Sequence, residues 1–102
     1  MKIPLQFRFR NKERKASAFI DNQEEPCFVF LILEDKEIIK EFGEDISIKT
    51  DFENILPSDN ASVELEKLRE AIFHELRRTV EFAKAKEEYP KGQQWPSQKQ
   101  II

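Results

Sequence analysis

The sequence predicts an α+β fold, a mostly antiparallel meander of four or five strands with one long C-terminal helix packed on one face. Three observations predict it. Short strand-like segments fill residues 3–50. Residues 62–88 then run as one amphipathic pattern without proline or glycine. At roughly 100° per residue, Leu65, Leu68, Ile72, Phe73, Leu76, Val80 and Ala83 fall on one side. Finally, Cys27–Leu33 is apolar at every position, as a strand buried between two layers would be.

Each element has its own signal. Residues 3–10 alternate strictly and read as a half-buried strand. Residues 11–14 are a polar turn, and 16–20 return as a second strand. Residues 21–26 form a loop closed by proline. Cys27–Leu33 is rich in aromatic and branched residues and reads as the central strand. Asp35 and Lys36 read as a hairpin turn into a strand at 37–42, although the glycine that favours such turns is missing. Residues 43–45 break that strand, and 46–50 alternate again. Residues 52–56 fit a helical turn or a packed loop, ended by Pro57.

The helix starts within residues 58–62, where Asp59, Asn60 and Ser62 can cap it. Glu64, Glu66 and Glu70 lie early and Arg77, Arg78, Lys84 and Lys86 late, which suits the helix dipole. Pro90 ends it. Residues 1–90 are expected to form a single domain and 91–102 a flexible tail.

Composition sets the class. The chain has 102 residues, enough for one domain, and its 39% apolar content with nine Phe excludes a disordered polymer. The longest apolar run has seven residues, against about 20 for a membrane span. The N-terminal alternation is unlike a signal-peptide core. A single cysteine rules out an internal disulfide, and the cytoplasm is the default location.

The net charge of −3 hides a polarised chain. Residues 1–20 carry six basic side chains and one acid, whereas 21–66 carry fourteen acids and three lysines. The basic cluster Arg8, Arg10, Lys12, Arg14 and Lys15 is the candidate contact for nucleic acid or an acidic partner, because phosphates need clustered cations. Phe7 and Phe9 point away from the arginines by alternation and are expected in the core.

Other chemistries find little support. One His and one Cys cannot supply a zinc site, and no calcium-loop spacing is present, so no metal is expected. Two glycines are too few for a nucleotide fingerprint, and no cofactor is expected. Cys27 and His74 would be the only nucleophile–base pair of that kind. Cys27 opens the most apolar strand, while His74 lies opposite the apolar stripe of its helix. The balance leans away from an enzyme.

Two lengths point to an assembly. A helix of about 26 residues is roughly 39 Å long, whereas five strands side by side span only about 24 Å. The helix would overhang the sheet, and one helix would leave one face of Cys27–Leu33 uncovered. The expectation is a non-catalytic protein-interaction module, homodimeric through Cys27, Val29, Leu31 and Leu33. Phe82, near the overhang, and Trp95, in the tail, are the further candidate partner contacts. The alternative is a nucleic-acid-associated protein using the basic first strand and turn.

Overall fold

In the computed structural model, which describes residues 2–23, 26–56 and 62–89, the alternating segments pair as one four-stranded antiparallel sheet in the order β1-β2-β3-β4. The elements are β1 (Lys2–Phe9), β2 (Lys12–Asp21), β3 (Cys27–Leu33), α1 (Lys36–Phe42), β4 (Asp45–Thr50), α2 (Val63–Leu76) and α3 (Val80–Glu88). A two-residue turn at Arg10 and Asn11, with φ of 54° and 63°, joins β1 to β2. Left-handed backbone at both positions matches the twist of the hairpin; asparagine tolerates it, and arginine does so at some cost.

Residues 37–42 form a helix, not the strand expected. Asp35 is its N-cap: the carboxylate accepts from the Glu37 N–H at 2.9 Å and the Ile38 N–H at 3.3 Å. Gly43 ends it at φ 89°, donating its N–H to the Ile39 carbonyl. Ile38, Ile39 and Phe42 share one side of that helix and meet the core, where Phe42 stands edge-on to Phe9 at 6.2 Å. The sheet therefore has four strands, and α1 is the link between neighbouring β3 and β4.

The expected single helix is two. Thr79 interrupts it: its hydroxyl donates to the Leu76 carbonyl at 2.7 Å and accepts from the Phe82 N–H at 3.1 Å, capping α3. A β-branched hydroxyl residue that satisfies backbone groups locally competes with the helical ladder, and here it wins. The apolar stripe shifts at the break. Val80 is 79% exposed and Ala83 lies outside, while Phe82 is 4% exposed and Ala85 packs against the core. With 14 residues, α2 is about 21 Å long, so the overhang disappears.

The core lies between the helices and one face of the sheet. That face carries Ile3, Leu5, Phe7 and Phe9 from β1, Ala16 and Ala18 from β2, all of Cys27, Val29, Leu31 and Leu33 from β3, and Ile48 from β4. Leu68, Ile72, Phe73 and Leu76 of α2 cover it, and Phe82 of α3 joins them. The segment after β4 folds into the same layer as a tight loop. The Thr50 hydroxyl accepts the Phe52 N–H at 3.0 Å and donates to the Asn54 carbonyl at 2.6 Å. This holds Phe52 at φ 74° with its ring 4.8 Å from Phe82 and 4.7 Å from Tyr89.

α2 lies closest to β1, whose Pro4 offers no N–H. The β4 edge is occupied: the Ser47 carbonyl accepts from Arg69 Nε at 2.8 Å and the Lys49 carbonyl accepts from the Leu56 N–H at 2.7 Å. Arg69 therefore reaches the sheet edge and Glu66, while Glu53 pairs with Lys86.

Candidate functional site: the open face of the sheet

The basic segment does not form a free cationic patch. Alternation divides it: Lys12 and Arg14 turn toward α1, Arg8 and Lys15 turn to the opposite face, and Arg10 sits in the turn. Arg10 binds both carboxylate oxygens of Glu41 at 2.7 and 2.9 Å and Glu64 at 2.8 Å, with its guanidinium 4.9 Å from the Phe9 ring centre. Arg14, only 4% exposed, donates to the Phe9 carbonyl, to Asp35 at 3.1 Å and to Glu37 at 2.6 Å. Lys12 adds a contact to Glu37, and Arg8 lies 3.6 Å from Glu13. The acidic middle of the sequence thus folds back onto the basic hairpin.

The titrations follow. The hydrogen bond from Arg14 holds Glu37 below the usual carboxylate range, and those from Arg10 hold Glu41 and Glu64 there. At Asp35 burial pushes upward, but hydrogen bonds from Arg14 and the α1 N–H groups outweigh it and leave the carboxyl lowered.

Cys27 and His74 do not form a catalytic pair. Cys27 is fully buried, its thiol pushed up to about 12 by burial and then by the charge of Asp21. His74 is exposed, in a groove of about 350 Å³ with Glu53, Glu70 and Arg77 whose lining holds no thiol or hydroxyl. Among the described residues no helix is long and apolar enough to cross a membrane.

The four residues expected at a dimer face, Cys27, Val29, Leu31 and Leu33, are at most 1% exposed in the single chain. They are the centre of the core, and the surface of β3 is the other row. Phe82 is likewise interior, packed against Phe52 and edge-on to Phe73 at 5.6 Å. Trp95 and the expected tail lie outside the described residues.

Among the described residues, what remains open is the outward face of the sheet. All three helices contribute to the core on the inward side, while Phe30 is 47% and Phe19 36% exposed on the other. The ladder puts these two side by side, with Ser47 next to Phe30 on β4. Phe28 stacks on Phe30 at 6.1 Å with the rings 13° from parallel. Ile32, half-buried, borders a hollow of about 390 Å³ shared with Phe30, Asp45 and Ser47. The rim is electrically balanced, with Lys2, Arg8, Lys15 and Lys49 facing out beside Glu13, Asp21, Glu34 and Asp45.

This face escaped the sequence reading because Cys27–Leu33 is apolar on both rows and period alone cannot say which is buried. The neighbouring strand could have decided it. β2 puts small Ala16 and Ala18 inward, leaving room for the helices, and polar Ser17 with Phe19 outward.

The arrangement defines a class, a helix-backed antiparallel α+β domain with one bare aromatic sheet face. No protein-family model, curated protein or solved structure matches the chain.

Proposed function

We propose that this chain is a small non-catalytic interaction module that works as a homodimer through the outward face of its sheet. One observation carries the reading: Phe19 and Phe30, a third or more exposed, sit together with Phe28 and Ile32 on a face that the helices leave bare. Clustered aromatic surface of this kind marks association sites in soluble domains. Strand addition at the β4 edge is disfavoured, because the Ser47 and Lys49 carbonyls there are already bonded.

A dilution series followed by amide NMR tests this. Shifts that change with concentration should map to the outward rows of β2, β3 and β4 and spare the α2–α3 surface. Changes confined to the helices would overturn the reading.

A nucleic-acid role has one observation in its favour, the exposed rings, which could stack bases. Against it stand the acids on the same rim and the engagement of Arg10, Lys12 and Arg14 with carboxylates. Titration with single-stranded oligonucleotides at low salt separates the two readings. Tight binding that weakens steeply with salt would favour nucleic acid.

A further inference from the structure

The outward face matches a second copy of itself best in one register, and that register specifies how two copies meet. We infer that a second copy of this chain packs face to face, with the two-fold axis along the cross-strand row Phe19–Phe30–Ser47. The inference rests on the reading of this face as the working surface.

The ladder supplies the geometry. Beside the axial row on one side lies the row Asp21–Phe28–Lys49, and on the other Ser17–Ile32–Asp45. Rotation about the axial row exchanges these flanks. Phe30 then meets Phe30 of the second copy, Phe28 lies over Ile32, and Lys49 lies over Asp45, the last two contacts occurring twice by symmetry. Rings meet apolar groups, and each Lys49 meets an acid. A two-fold parallel to the strands between β2 and β3 would instead set Asp21 on Phe28 and Asp45 on Pro4, leaving Lys49 without a counter-charge. One along β3 would give Lys49 Asp21 but set Phe19 on Ser47 and Asp45 on Ser17. Apolar matching of all four outward side chains, together with the Lys49–Asp45 pairs, therefore chooses the first axis. The sheets' own twist rotates such a pair by about 30°, and it carries the Lys2 side chains, which meet at one end of the axis, apart into water.

The size of the face sets the strength. Four strands about 4.8 Å apart and some five residues long cover roughly 19 by 17 Å. That is well below the ~800 Å² per partner of a standard interface, so the pair is expected to be weak and concentration-dependent.

Sedimentation velocity on the full chain tests the inference, with three single variants, D45K, K49D and F30D. Wild type should shift with concentration toward twice 12.1 kDa. D45K and K49D should each weaken self-association by about tenfold, since two attractive contacts become repulsive. An equimolar mixture of D45K and K49D chains should recover it, because Lys and Asp again oppose each other in the mixed pair. F30D should be monomeric with an unchanged circular dichroism spectrum.

A wild-type chain that stays monomeric up to about 1 mM overturns the inference. Loss in F30D with no effect of the charge variants and no recovery on mixing overturns the register but not the use of the face. Self-association untouched by F30D overturns both. A Phe30-dependent, salt-sensitive complex with a labelled oligonucleotide, without self-association, assigns the face to nucleic acid and overturns the dimer.

Discussion

Arg14 Nη1 lies 3.1 Å from Asp35 Oδ1, and that same oxygen accepts the first free N–H groups of α1. One carboxylate therefore caps a helix and neutralises a guanidinium that is almost wholly buried beneath it. Glu37, in the first turn of α1, closes the cluster from above at 2.6 Å. The β1–β2 hairpin and α1 share a fastening that neither makes alone.

Arg14→Ala is expected to destabilise the domain by about 3 kcal/mol, the cost of stripping one partner from an enclosed ion pair. Urea unfolding measures it. A loss below about 1 kcal/mol would mean that water replaces the guanidinium readily.

Acid should loosen the same region. Asp35, Glu37, Glu41 and Glu64 titrate below their ordinary values of 3.8 for Asp and 4.5 for Glu. A depressed folded-state value means that the stabilisation is complete above the ordinary value and is lost as pH falls through the folded one. Stability should thus be level from neutral pH down to about 5 and decline below that, reaching its floor only under all four folded values. The urea midpoint followed against pH checks this, and a chain carrying E41Q and E64Q should show a shallower decline.

The helix break makes a paired prediction. Phe82→Ala should cost about 3–4 kcal/mol, since the ring is buried against Phe52 and Phe73. Val80→Ala should stay within about 0.5 kcal/mol, as expected for an exposed side chain. An uninterrupted helix would reverse the order of the two. Chemical denaturation of both variants decides between them.

Thr79→Ala should cost about 1 kcal/mol through loss of the α3 cap. Thr79→Ser, which keeps the hydroxyl, should recover most of it in the same melts. Equal losses in both would assign the effect to the methyl group instead.

Cys27 should resist alkylation at neutral pH. The buried thiol is raised to about 12, so iodoacetamide modification should proceed no faster than unfolding opens the core. Mass spectrometry across a urea series measures this, and rapid labelling of the native chain would place the thiol at the surface.

β1, β3 and α2 were legible because period and burial agreed there, whereas β2 begins at Lys12, inside the stretch read as a polar turn. β1 alternates polar and apolar along its whole length, and β3 has the bounds its composition announces. The helix at 36–42 carried standard signals, Asp35 ahead of it and Gly43 behind, but Ile38, Ile39 and Phe42 satisfy a strand in so short a window. Thr79 was harder, since nothing local marks it as a cap until its hydroxyl is seen on Leu76 and Phe82. The basic cluster misled for a different reason. Its partners Glu37, Glu41 and Glu64 stand 23 to 54 residues away in sequence, and spacing along the chain says nothing about pairs so distant.

Phe52 shows what such distant partners can impose. A left-handed phenylalanine is costly by itself, and the turn around it has no glycine to make the bend easy. Its ring rests on Phe82 and Tyr89, residues that follow it by 30 positions and more. The path of this loop is thus written by chain that leaves the ribosome later. Until α3 emerges, residues 50–55 have hydroxyl and carboxylate bonds to guide them but no surface on which to rest the aromatic side chain. The emergence of α3, rather than of the sheet that precedes it, sets the moment at which this half of the domain closes.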